Sequence, residues 1–191
     1  MKRFILSIAL FSLILSNEAV ADSYDTNAKK ATYRSAIKEL GSALKSELIA
    51  AMKAGGAVNA LGVCHTKASE IRTKVSEKVG LNITRTSLKP RNVNNAPTGW
   101  EELVLKQFEE RSAAGENPKT LEYFEMIEKD GQRQLRYMKA IRTAAPCLAC
   151  HGSEIEPAIQ DKLKELYPED KATGFKAGDL RGAFSITETL P

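Results

Sequence analysis

Apolar residues recur at three- and four-residue steps over residues 28–53, as Tyr33, Ile37, Leu40, Leu44, Leu48 and Met52, with Lys and Glu between them. That spacing predicts an amphipathic helix with one face in a core. Gly55 and Gly56 end the pattern. A second stripe follows over residues 57–78, formed by Leu61, Cys64, Ala68, Ile71 and Val75 and stopped by Gly80. Cys64 lies within this stripe, while His65, turned by about 100°, sits at its edge. Residues 83–90 then read as extended chain, and 91–97 have neither period and form a loop.

Thr98 and Glu101 have capping-box spacing and open a third helix to about residue 114, with Trp100, Leu103, Val104 and Phe108 on its apolar side. The pattern changes after residue 118. Residues 121–128 and 132–143 read as two strands joined by Asp130-Gly131, a hairpin signal. Residues 153–166 read as a further helix, and 180–187 alternate apolar and polar as a half-buried terminal strand. Helices, a hairpin, a helix and a strand predict an α+β domain with a small antiparallel sheet.

The first residues carry an export signal. Lys2 and Arg3 precede an apolar run over 4–15, and Ala19-Val20-Ala21 supplies small residues for cleavage before Asp22. Residues 1–21 are therefore expected to be a signal peptide, too short to span a membrane, and residues 22–191 one periplasmic domain with no membrane span. The net charge of +4 is spread along the chain without a basic block. That excludes nucleic acid from the expected partners.

Between the hairpin and the last helix stands Cys147-Leu148-Ala149-Cys150-His151. C-x-x-C-H is the attachment sequence of c-type haem: two sulfurs form thioethers to the vinyl groups, and the histidine is placed to bind the iron. A thiol–disulfide or zinc half-motif would use the cysteines but leaves His151 unexplained. One covalent haem c is the expected cofactor. Of the three cysteines, Cys64 then has no disulfide partner in an oxidising compartment.

The opposite axial position is open on these grounds. Residues 152–191 contain no Met, His or Cys, so the candidates are Cys64, His65, Met52, Met126 and Met138. Helical phase places Cys64 on the buried face, where it is either a ligand or a structural thiol. The three methionines read as core, and His65 as a residue of the helix edge.

Several stretches together resemble the exported haem-c-binding domains of the PAS-like type, formerly classed as a domain of unknown function. They are Val63-Cys64 with Ala68 and Ile71; Arg85-Thr86-Ser87 with Arg91-Asn92, Asn95 and Trp100-Glu101; Cys147 to Gly152; and Tyr167-Pro168 with Asp170, Ala172-Thr173-Gly174 and Gly178-Asp179-x-Arg181-Gly182-Ala183. The resemblance covers nearly all of residues 22–191. It implies a PAS-like fold with a central antiparallel sheet and long N-terminal helices, and a haem iron held by His151 and Cys64. His65 beside the cysteine departs from the family pattern and stands as the alternative distal ligand. Arg85 and Arg91, in matching stretches, are candidate partners of the haem carboxylates.

The functions expected from this are redox or small-gas (CO, NO) sensing, or low-potential electron transfer to a redox partner protein. The alternatives are a haem-free thiol–disulfide oxidoreductase using Cys147 and Cys150, or a haem enzyme acting on sulfur compounds. The sequence shows no catalytic constellation beyond the motif.

Overall fold

The computed structural model describes residues 25–191; the expected signal peptide at 1–21 lies outside them. Helix α1 runs from Thr26 to Val79 but leaves helical geometry at Gly55 and Gly56. The break divides it into a first arm, residues 26–54, and a second arm, residues 57–79. Lys78 Nζ meets Glu39 Oε1 at 2.6 Å, so the arms fold back as a helical hairpin. Asn59 Nδ2 donates to Ala51 O at 2.9 Å across the bend, where Ala51 and Ala60 are both buried. Asp25 caps the start by accepting from the backbone of Asn27 and Ala28.

The other elements are β1 (Ile83–Thr86), α2 (Gly99–Ala113), β2 (Glu122–Lys129), β3 (Gln132–Arg142), the short turn α3 (Leu148–His151), α4 (Pro157–Leu166) and β4 (Leu180–Thr189). The strands form one antiparallel sheet in the order β1-β4-β3-β2. Asp130 and Gly131 both take positive φ, 52° and 73°, as a two-residue hairpin turn requires.

Strand alternation places the sheet between two layers. Leu135, Tyr137, Ile83 and Ile186 pack against Tyr33, Ile37, Leu40 and Val75 of the two α1 arms. Met138, Ala140 and Ala183, one residue out of phase, pack on the other face against Val104, Leu105 and Phe108 of α2. A third, smaller cluster joins Leu61 of the second arm to Ile155, Ile159 and Leu163, which brings α4 and the cysteine motif against that arm.

Four details differ from the pattern-based expectation. Leu48 and Met52 are 41% and 39% exposed, because the hairpin bend carries their end of the stripe away from the core. Leu103 is 63% exposed and Leu105 takes its place, a shift of phase within α2. Met126 is exposed on the edge strand β2, whereas Met138 is fully buried. The helix expected from residue 153 starts at Pro157, where proline suits the first helical position and holds Glu156 extended. Within α1 an 18-residue window has mean hydropathy 1.2 and is 17% buried, long and apolar enough to cross a membrane by composition. The sequence reading expects no membrane span after residue 21, and this window is the one place among the described residues where length and composition alone would allow one.

Glu122 ties the first arm to the hairpin. It accepts from Arg34 Nε at 2.9 Å, from Arg34 Nη2, and from Tyr137 Oη at 2.9 Å. These donors hold its carboxyl down at about 2. The unfolded chain therefore binds more protons between that value and the ordinary carboxylate range near 4.5. The tie is at full strength above that range and is lost as pH falls through it. Glu122→Gln is expected to lower stability at neutral pH by about 1 kcal/mol, and to flatten the acid loss of stability in that window, as read by thermal melts at several pH values. Leu163→Ala, at a side chain 4% exposed, is expected to cost about 2–5 kcal/mol in denaturant unfolding, because the cavity opens between α4 and the second arm.

Candidate haem site

The motif sits on a tight, mostly helical turn. Residues 145–147 form a 3-10 turn and α3 completes it, so Cys147 and Cys150 lie within one turn of His151. Gly152 follows, and a Cβ there would stand 2.7 Å from Leu148 O. Thus the C-terminal side of the motif closes with no room for a side chain.

A strap of chain running through residues 170–175 holds His151. Phe175 N donates to His151 O and Gly174 N to Gly152 O, both at 2.9 Å. His151 Nδ1 is 2.7 Å from Ala172 O. A carbonyl only accepts, so Nδ1 carries the hydrogen and Nε2 keeps its lone pair facing away from the strap. Burial, reinforced by the charges of Arg91 and Arg181, pushes the imidazole down to about 3, so the ring is neutral. The Phe175 ring stands edge-on to it, 6.4 Å between centroids at 89°.

The second arm carries Cys64, which is partly buried. Its thiol is pushed up by burial, and the charge of Arg85 opposes that most strongly. Cys150 acts on Cys64 as well, and the charges of Arg85 and Arg91 act on both Cys64 and His151, so the structure gathers these residues around one region. Arg85 projects from β1 on the sheet face that packs α1, its Cα paired with Phe184 in register. Among the described residues its guanidinium makes no hydrogen bond and no ion pair, and burial lowers its pKa. Arg91 is committed instead: Nε donates to Asp170 Oδ2 at 3.0 Å, and Nη2 to Cys150 O and to Ala172 O at 3.2 Å.

His65 is exposed, with its ring 5.0 Å from that of Tyr167 in an edge-on contact. Met52 and Met126 are partly exposed, and Met138 is buried between the sheet and α2. Sequence reasoning gave no role to Ala172 and Phe175. Ala172 stood only within a matching stretch and Phe175 outside all of them, because backbone donors and acceptors leave no mark in residue type. Arg181 Nη1 donates to Ser87 Oγ at 3.0 Å and to Lys89 O at 3.1 Å, and burial lowers its pKa to about 10.

The donor set suits a covalent haem. Two cysteines on one turn can take thioethers, a neutral imidazole offers Nε2 with its other nitrogen anchored, a third thiol feels the charge of the same arginines, and the unpaired Arg85 guanidinium could take an anion. Among the described residues no group of three or more His, Cys, Asp and Glu side chains could hold a bare metal ion.

The comparisons with known proteins agree with this architecture. A crystal structure of the cyanobacterial haem protein Tll0287 aligns with a TM-score of 0.62 at 24% identity, covering 86% of this chain and 96% of that one, which shows a shared fold. A comparison with curated proteins finds no match. The family model described as Tll0287-like matches residues 12–188, nearly the whole length, and the chain belongs to that family.

Proposed function

We propose that this protein is an exported, periplasmic c-type cytochrome with one haem, working as a redox-responsive module in sensing or in low-potential electron transfer. Cys147 and Cys150 are its thioether anchors, His151 the proximal ligand through Nε2, and Cys64 the distal ligand. Arg85 and Arg91 face the haem carboxylates, Arg85 with its whole guanidinium free and Arg91 with the Nη1 group that its other bonds leave over. The central antiparallel sheet with helices on both faces supports the PAS-like description of the fold. The observation that carries the proposal is the Nδ1 contact of His151 with Ala172 O, which leaves Nε2 as the free ring nitrogen of a histidine that shares the charges of Arg85 and Arg91 with Cys64.

When bound, the haem supplies a one-electron couple and two axial positions. The chain determines how those positions respond. An anionic Cys64 sulfur favours the oxidised state and lowers the potential. Burial works against that anion while Arg85 works for it, so the sulfur is poised to take a proton when positive charge at the site falls by one. A protonated Cys64 is a poor ligand, and its departure would free the second arm of α1 to move relative to the strap. That movement, or the vacant position offered to CO or NO, would be the signal passed to a partner protein.

Cys64→Ala tests the distal assignment. The ferric visible and EPR spectra are expected to lose the thiolate signature while covalent haem remains, and the midpoint potential in an optical titration is expected to rise. Unchanged ferric spectra would show that Cys64 is not the ligand and turn attention to His65.

A further inference from the structure

The Ala172 carbonyl accepts from two side chains. His151 Nδ1 lies 2.7 Å away and Arg91 Nη2 3.2 Å away. The same nitrogen also reaches Cys150 O, so one guanidinium NH2 group spans the residue before His151 and the acceptor of the His151 ring. Asp170 holds that guanidinium in place. Its Oδ2 accepts from Arg91 Nε at 3.0 Å, while its Oδ1 accepts from Ala172 N at 2.8 Å. Arg91 and Asp170 are 12% and 10% exposed, so solvent screens this ring of bonds little.

A carbonyl oxygen has two lone pairs and can serve both donors, but they draw on one pool of electron density. The cationic donor draws on it even from the longer distance of 3.2 Å. The bond left to the imidazole N–H is weakened, and less density reaches Nε2, since the outer hydrogen bond of a ligating histidine sets its basicity. Resting on the His151 ligation proposed above, we propose that Arg91 is a positioning residue that sets the donor strength of His151 through the shared Ala172 carbonyl. The proximal bond is thereby tempered, and the potential is held higher than a His/thiolate pair alone would give. Asp170 limits the effect by partly neutralising the guanidinium.

The two partners predict opposite shifts. In reduced protein of a Cys64→Ala/His65→Ala background, His151 is the one axial donor the chain offers, and resonance Raman reads its iron–histidine stretching frequency. Arg91→Gln is expected to raise that frequency, and Arg91→Lys to return it towards the parent value. Asp170→Asn, which leaves Arg91 uncompensated, is expected to lower it. In the otherwise native holoprotein, Arg91→Gln is expected to lower the midpoint potential and Asp170→Asn to raise it.

A fall in potential with an unmoved iron–histidine frequency would mean that the charge acts through space alone, and would overturn the proposal. Loss of haem from every variant without opposite frequency shifts would reduce Arg91 and Asp170 to a tether, and would overturn it equally. If Arg91→Gln fails to fold, the sign of the Asp170→Asn shift still decides. A parent protein with covalent haem but no iron–histidine band would overturn the ligation by His151 itself and this proposal with it.

Discussion

The buried Arg91–Asp170 pair is the contact on which the site depends. Removing both charges from water is expensive, and their mutual attraction repays it only when further hydrogen bonds complete the shell. Here they do. The guanidinium adds Cys150 O and Ala172 O, and the carboxylate adds Ala172 N. Three segments distant in sequence, the loop after β1, the cysteine turn and the strap before β4, are thereby brought to one point. That junction adds side-chain anchors to the backbone bonds of Gly174 and Phe175 that already tie the strap to the motif, and so fixes the acceptor that sets the tautomer of His151.

Charge at the site is lopsided. Arg85, Arg91 and Arg181 all act on His151, and Asp170 is the carboxylate that answers Arg91. Arg181 is satisfied by a hydroxyl and a carbonyl, which are neutral, and Arg85 has no partner among the described residues. A buried positive surplus of this kind is costly unless an anion joins it. A haem with two carboxylates and a Cys64 thiolate would supply that anion, and the same surplus would stabilise the thiolate against the burial that disfavours it. The site's electrostatics thus suit the proposed cofactor.

How far the sequence revealed this depended on whether a feature is periodic, local or tertiary. The α1 arms, their break at Gly55-Gly56, the capping box at Thr98 and the Asp130-Gly131 hairpin were all legible, because period and turn chemistry are local properties. Leu48, Met52 and Leu103 misled, since a stripe tells which face is apolar but not how far the partner surface extends. The motif residues were readable from spacing alone. Cys64 became a candidate through helical phase and the leftover-thiol argument, and a ligand through the family resemblance. Arg91 was identified as important, but its ties to Asp170 and to two carbonyls were beyond reach, since backbone acceptors have no sequence signature. The unpaired state of Arg85 is equally a tertiary fact.

The two sides of the proposed haem differ in how firmly they are held, and that difference bears on mechanism. On the His151 side, the ring, its carbonyl and the next glycine are all tied to the strap by hydrogen bonds at 2.7 to 2.9 Å. On the other side, Cys64 has no hydrogen bond among the described residues, and its arm is joined to the first through a bend flanked by the exposed side chains of Met52 and Val58. The second arm itself is packed, through Leu61 on α4 and Val75 in the main core, so the difference lies in the thiol, which no hydrogen bond holds. In the proposed cytochrome a change of ligand on reduction would therefore fall on the Cys64 side while the motif and the strap stay fixed. With the proposed haem in place, a tied His151 and an untied Cys64 thiol would suit a switch better than a carrier that must keep both ligands through every turnover.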